Sequence, residues 1–419
     1  MAEYSEYKDS GQQWLGMVPS HWNLQSVNSV LKEQKELVGK RNDLDLLSLT
    51  LNGVIYRDKF SGIGKMPSDF ESYKIIKPND LIFCLFDLDE TPRTVGVAHQ
   101  HGMITGAYDV FSSEDNLLIQ FLYYYFLAID NDKALKPYYS GLRKVVKINR
   151  FKHIQIPIPP KEEQKAIVAY LDRVTADIDK AIAAKERIIA SLEERRKIII
   201  TDAVRHGINP ETPMKDSGID WLGEIPAHWE VIRIKYLLNE KKIRSKTGVE
   251  EPLSMSQRKG LIPTKMMGVI PNLAASYVDA KLVSKGDLVF NKLKAHLGVF
   301  NVSEYDGLVS PDYAVYTTAG KADLKFLEYI FKTPNCINEF KKLITGVGAG
   351  LSRLYTNDLY SIYCAIPPID EQLSIRNHIV NQTKAISEAI DQCQSIIDLL
   401  RERKNIIINE TVTGKVKVI

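Results

Sequence analysis

The 419-residue chain is written twice. Lys8-Asp9-Ser10-Gly11 returns as Lys215-Asp216-Ser217-Gly218, 207 positions on (215 − 8). The same offset carries Trp14-Leu15-Gly16 onto Trp221-Leu222-Gly223, and Pro19, His21 and Trp22 onto Pro226, His228 and Trp229. All four tryptophans fall in these two copies. Looser echoes follow. Asp80-Leu81-Ile82-Phe83 answers Asp287-Leu288-Val289-Phe290, and Phe121-Leu122 with Tyr124 and Phe126 answers Phe326-Leu327 with Tyr329 and Phe331. Ile158-Pro159-Pro160 with Glu163-Gln164 answers Ile366-Pro367-Pro368 with Glu371-Gln372. A period of this length exceeds any solenoid unit, so each copy is a domain plus an accessory element. Between the anchors the copies diverge: the frame is shared and the contents vary.

Each half opens on turn residues and short apolar runs. Lys74–Phe86, Lys281–Asn291 and Tyr313–Thr317 read as strands, and Asn116–Ala128 and Leu324–Phe331 as short helices with an aromatic face. After each Pro-Pro the texture changes. From Lys161 to His206 there is neither Gly nor Pro, and eight of ten positions on a 4-3 spacing are apolar: Ile167, Leu171, Val174, Ile178, Ala181, Lys185, Ile188, Leu192, Arg195, Ile199. The second series is Ile375, Ile379, Gln382, Ile386, Ala389, Cys393, Ile396, Leu400, Arg403, Ile407. Such heptads predict a coiled-coil seam, stopped at Gly207 and Gly414. A helix of about forty residues reaches about 60 Å, longer than a small domain is wide, so the two stripes are expected to bury each other. The second helix must then return toward the first domain, which makes the pair antiparallel. The end of helix two near Gly414 should lie by Lys8–Trp22, and the end of helix one by Lys215–Trp229. The expected fold class is α+β, with two similar mixed α/β domains separated by two long helices in pseudo-twofold array. Arg195 and Arg403, on matching seam positions, read as a solvated end or register pin before a partner-docking point.

Composition excludes several classes. A hydrophobic content of 44% with 26% charged residues describes a globular chain. The polar start, Met1 to Ser10, lacks the apolar core of a secretory signal, and no run of about eighteen apolar residues offers a membrane span; the expectation is a cytoplasmic protein. Cys84, Cys336, Cys364 and Cys393 lie too far apart for a zinc or disulfide framework and read as free thiols. Net charge is only +3, too little to announce a nucleic-acid partner by itself.

The repeated anchors Lys8-Asp9-Ser10-Gly11, Trp14-Leu15-Gly16, Pro19 and His21-Trp22, their copies at Lys215 to Trp229, the domain exits around Pro159-Pro160 and Pro367-Pro368, and the long helices resemble the specificity subunits of type I restriction-modification systems over essentially the whole chain. The resemblance implies target-recognition domains at 1–159 and 208–367 and spacer helices at 160–207 and 368–414. It implies a non-catalytic subunit whose domains each read one half of a bipartite, asymmetric target in double-stranded DNA. The helices would set the spacing and bind two modification (methyltransferase) subunits, with restriction subunits joining the complex. No cofactor is expected on this chain; S-adenosylmethionine, ATP and Mg2+ belong to the partner subunits. A rigid spacer fixing half-site separation agrees with how paired DNA readers work.

The alternative is a stand-alone nuclease or methyltransferase fused to recognition domains. An amino-methyltransferase needs Asp, Asn or Ser before Pro-Pro and an aromatic after it, whereas here Ile158 and Ile366 precede and Lys161 and Ile369 follow. Gly346-Val347-Gly348-Ala349-Gly350 is not set between a strand and a helix and reads as a DNA-facing loop. Pro311-Asp312 with Asp323-Leu324-Lys325 matches a metal-dependent nuclease spacing, but the other half lacks it. His99 and His101 lack further ligands nearby, and no P-loop lysine motif is present. No nucleophile or acid recurs beside His21 and His228 in the sequence, and both histidines read as structural.

DNA contact needs Lys and Arg for phosphates, and Arg, Lys, Gln or Asn for base edges. Lys133 to Lys152 holds seven basic residues (Lys133, Lys136, Arg143, Lys144, Lys147, Arg150, Lys152) and no acidic one. The candidate contacts in the first domain are Arg57, Lys59, Lys65, Arg93, Arg143, Lys144 and Lys147. In the second they are Lys242, Arg244, Gln257, Arg258, Lys259, Lys292, Lys294 and Arg353. Arg57, Arg93, Arg143, Gln257, Arg258 and Arg353 are the expected base readers.

Overall fold

The computed structural model describes residues 3–12, 14–41, 43–59, 67, 69–256, 259–267, 276–344 and 353–418. Contacts gather the chain into two compact units, one made of residues 1–185 and 394–419, the other of residues 186–393.

Each unit has the same strand pairings. In the first, Tyr7–Asp9 pairs with Met17–Pro19, Asn23–Ser26 with Gln155–Ile158, Leu47–Thr50 with Gly53–Tyr56, and Lys74–Ile76 with Gly102–Ile104. An antiparallel four-stranded sheet runs Lys32–Gln34, Asp109–Ser112, Leu81–Phe83, Val95–Val97. In the second, Met214–Asp216 pairs with Glu224–Pro226, Glu230–Arg233 with Tyr363–Ile366, Leu253–Ser256 with Gly260–Pro263, and Lys281–Val283 with Gly307–Val309. Its four-stranded sheet runs Leu238–Glu240, Tyr313–Thr318, Leu288–Asn291, Phe300–Val302. The runs expected as single strands over Lys74–Phe86 and Lys281–Asn291 are each two strands. Asp80 accepts from the backbone N–H of Lys77 (2.7 Å) and Asp287 from that of Ser284 (2.7 Å), so an Asp-closed turn diverts the chain from one pairing to the next.

A helix packs on each sheet. Asn116–Asn131 is capped by Asp115, whose carboxylate accepts from the N–H of Leu117 and Leu118, and Leu324–Phe331 is capped by Asp323 through Phe326 N–H. Their apolar faces close the main cores, which bury Phe83, Phe111, Phe121, Phe126 and Phe151 in one unit and Phe290, Phe300, Phe326, Phe331 and Phe340 in the other. All four cysteines are buried free thiols.

The long helices span Lys161–His206 and Ile369–Val412, and Gly207 and Gly414 follow them with φ of 76° and 73°. In the first unit Lys404 Nζ holds both carboxylate oxygens of Asp179 at 2.7 Å. Further along the second helix, Ile408 and Val412 share a core with Ile167 and Leu171. Rising numbers on one segment meet falling numbers on the other, so they run antiparallel. In the second unit Ala203 and Val204 share a core with Ile375 and Ile379. The class is α+β: two similar mixed domains with two long helices, whose opposed ends meet inside each unit. Gly414 lies against Pro19 and Trp22, and Gly207 against Trp229 and Glu371. A Cβ at Gly414 would stand 2.3 Å from the Pro19 ring.

The stripe these helices bury differs in phase from the 4-3 reading. Ile167, Leu171, Ile178, Ile375, Ile379 and Ile386 are buried, while Val174, Leu192 and Leu400 are half-buried. Ile188 and Ile396 are instead exposed, at 43% and 39%. Their neighbours take the inward place: Ile189 is half-buried and Ile397 is 1% exposed. Likewise Thr383 and Ile390 are buried where Gln382 and Ala389 were expected. One residue rotates a helical position by about 100°. Where two isoleucines stand side by side the sequence leaves that choice open, and packing makes it.

Candidate nucleic-acid interface

The repeated anchors form one device, built once in each unit. Lys8 Nζ donates to the carbonyl of Trp22 (2.5 Å), and Lys215 Nζ to that of Trp229 (2.8 Å). Asp9 and Asp216 accept from the N–H of Gly11 and Gly218, at 2.9 and 3.0 Å, and both glycines stand at positive φ. The indole N–H groups of Trp22 and Trp229 donate to Glu163 (2.9 Å) and Glu371 (3.1 Å), in the first turns of the long helices. His21 and His228 pair with the same carboxylates at 2.6 and 2.7 Å. Each head is thereby locked to the helix that leaves it, and the structural reading of both histidines fits this geometry. Burial would push the Glu163 carboxyl up, but the donors Trp22, His21 and Tyr4 hold it below the usual range.

In the first head, residues 140–145 form a basic hairpin. Ser140 and Val145 exchange both backbone hydrogen bonds, at 2.9 and 3.0 Å, and Lys144 N–H donates to Gly141 (3.1 Å). The hairpin is stitched to the segment after the Leu81–Phe83 strand: Val146 N–H donates to Leu85 (2.9 Å) and Asp87 N–H to Arg143 (2.8 Å). The Arg143 guanidinium forks onto Asp87 (Nε to Oδ1 3.2 Å, Nη2 to Oδ2 2.6 Å), and Lys144 pairs with Asp89 at 2.8 Å. Arg143 and Lys144 therefore share one tip. Lys147, just beyond it, is exposed and forms no ion pair among the described residues. The carboxylates of Asp87 and Asp89 are held low, first by hydrogen bonds from Arg143 and Lys144 respectively. Sequence reading missed Asp87 and Asp89, because a basic tract was judged by its own residues and its acidic partners lie more than fifty positions earlier.

Arg93, another expected base reader, is held by an acidic partner of its own. Its guanidinium donates to Asp130 (3.1 Å) and Asn131 (3.0 Å), and Asp130 also accepts from Thr94 N–H, Thr94 Oγ1 and Lys133. Asp130 is a buried carboxylate that needs cations and donors around it, and Arg93 supplies one of them. The Arg57 backbone N–H donates to Leu46 (2.8 Å), and the Lys59 ammonium stands over the Phe70 ring at 5.9 Å. Lys65, Gln257, Arg258 and the Gly346–Gly350 loop lie outside the described residues.

In the second head, structure gathers residues scattered in sequence. Leu354 N–H donates to the Lys292 carbonyl at 3.1 Å, the counterpart, one repeat on, of the Val146–Leu85 stitch. Arg353 beside it pairs with Asp312 at 3.2 Å. Arg244 donates to the Asp279 carbonyl (2.7 Å). Burial, then repulsion from Lys292, with Arg244 adding less, holds the Lys281 ammonium low, which places Arg244 and Lys292 around one buried cation. Lys242, Lys259 and Lys294 are exposed and form no ion pair among the described residues. The nuclease-like triplet is engaged elsewhere: Asp323 caps its helix and pairs with Arg376 (2.9 Å), and Lys325 pairs with Glu328 (2.8 Å). Among the described residues no three His, Cys, Asp or Glu side chains group as a metal site, and no helix is long and apolar enough to cross a membrane.

Two heads of one design, with different cationic surfaces and each clamped to a long helix, define a tandem recognition scaffold. Residues 104–193 match the family described as type I restriction modification DNA specificity domain. The chain is 26% identical over 277 residues to the putative type I restriction enzyme MjaX specificity subunit of Methanocaldococcus jannaschii, covering 64% of this chain and 61% of that protein. It is 24% identical over 263 residues to the type I restriction enzyme EcoKI specificity subunit of Escherichia coli K12, covering 59% and 54%. The matched region thus spans less than two thirds of these relatives' length. A solved chain from a study of complex assembly and conformational transition of the type I R-M system shares the fold at TM-score 0.62, with 12% identity, over 95% of this chain and 99% of that one. Over these stretches the chain is similar to specificity subunits of type I restriction-modification systems, and residues 104–193 carry their DNA specificity domain.

Proposed function

We propose that this chain is the non-catalytic DNA-reading subunit of a cytoplasmic type I restriction-modification complex. Each head reads one half of a bipartite, asymmetric target in double-stranded DNA. The long helices set the spacing and bind two modification subunits, to which restriction subunits add. S-adenosylmethionine, ATP and Mg2+ act on those partners. The observation that carries the reading is the duplicated clamp, in which His21, Trp22 and Glu163 recur as His228, Trp229 and Glu371 while the cationic tips differ. An identical frame with unlike tips suits reading two unlike sequences. Mapping of methylated adenines after co-expression with a type I modification subunit tests it. The expected result is one motif of two short parts separated by a fixed gap. Methylation that does not depend on this chain, or DNA cleavage by the purified chain with Mg2+, would overturn it.

A further inference from the structure

The hairpin tip of the first head is built more tightly than a phosphate contact requires. Asp87 and Arg143 share three hydrogen bonds: backbone N–H to carbonyl at 2.8 Å and the two side-chain contacts of the fork. Asp87 holds φ +48° and Lys144 φ +46°, a conformation non-glycine residues adopt at a cost and retain where surrounding structure fixes it. The guanidinium also lies over the Phe86 ring, 5.2 Å from its centroid. Three sides of Arg143 are thus fixed by backbone, carboxylate and ring, yet the side chain is 68% exposed. Asp87 occupies Nε and one N–H of Nη2. The remaining edge carries Nη1 and the second N–H of Nη2, two parallel donors that make no hydrogen bond among the described residues. Beside it, Leu142 is fully exposed at the turn, an apolar group held at the tip by nothing in its own fold.

We propose that Arg143, aimed by Asp87 as a positioning residue, reads a guanine through O6 and N7 in the major groove, with Leu142 packing on the neighbouring base. Two coplanar donors match two coplanar acceptors, and guanine is the base that presents that pair. A phosphate contact needs only charge, which a swinging lysine supplies. The pairing with Asp87 removes side-chain freedom before DNA arrives, so less is lost on binding. This inference rests on the DNA-reading function proposed above.

Selection of the full-length chain against a pool of randomised duplexes, followed by sequencing of the bound fraction, tests it. Wild type should enrich a motif with a guanine in one half. Arg143→Ala should remove the preference for that guanine, lowering discrimination there roughly ten- to hundredfold, with all other positions kept. Arg143→Lys, which retains charge and serves as the folded control, should lose the same position. Asp87→Asn should weaken that position alone, and adding it to Arg143→Ala should change nothing further. An unchanged motif with uniformly weaker binding and a shallower salt dependence would make Arg143 a phosphate contact and overturn the proposal. Loss of an A·T preference instead, or an Asp87 effect at a different position, would overturn it too. A wild-type chain that enriches no motif would sink the DNA-reading function itself.

Discussion

Asp130 and Glu328 do the same work at positions the repeat does not align. Asp130 gathers Arg93, Lys133 and Thr94 N–H; Glu328 gathers Lys325, Lys332 and Val302 N–H. Each is a buried carboxylate on the helix that packs on the sheet, tied to an edge strand or the residue before it. Burial would raise the Glu328 carboxyl, but Lys332 and Lys325 hold it low. Arg93→Met is therefore expected to cost about 1–3 kcal/mol of stability in urea unfolding and to leave the DNA motif unchanged. Glu163 adds a pH-dependent term. Its folded value is depressed, so its contribution is complete above the unfolded glutamate value of about 4.3 and is lost as pH falls through the folded value. Glu163→Gln should flatten the acid side of the stability profile; an identical profile would deny the clamp its role. Such long-range partners were illegible in the sequence, because Arg93 and Asp130 carry no shared spacing.

Among elements, the long helices were legible in extent and their buried faces only in part. An unbroken run ending at Gly207 reads directly from helix chemistry. The adjacent isoleucines at 188 and 189, and at 396 and 397, give two stripes of equal hydrophobicity, and the facing core selects one. Ile397→Ala should cost about 2–5 kcal/mol, whereas Ile396→Ala should stay within about 0.5 kcal/mol, both read from denaturant midpoints. Equal losses at the two positions would refute the phase seen here. The sheet strands were legible as apolar runs. The turns at Asp80 and Asp287 that divide them are visible only when the pairing partners, Gly102–Ile104 and Gly307–Val309, are known.

In the whole molecule, the first compact unit is discontinuous and includes residues 394–419. Ile408 and Val412 close its core, and Gly414 fits against Trp22. A chain ending after Cys393 should lose hydrogen-exchange protection in the Leu81–Phe83 and Asp109–Ser112 strands while the Leu288–Asn291 strand keeps it. Equal loss in both units would show a single cooperative body instead.

The repeat, the two heads, the two helices and the family likeness follow from the sequence alone, because identical anchors at one offset must build identical local structures. Which cations are tied into the core and which stand exposed was decided only by the fold. A guanidinium is the same group at Arg93 and at Arg143, and burial beside Asp130 or exposure on Asp87 is a property of neighbours that only three-dimensional packing brings together.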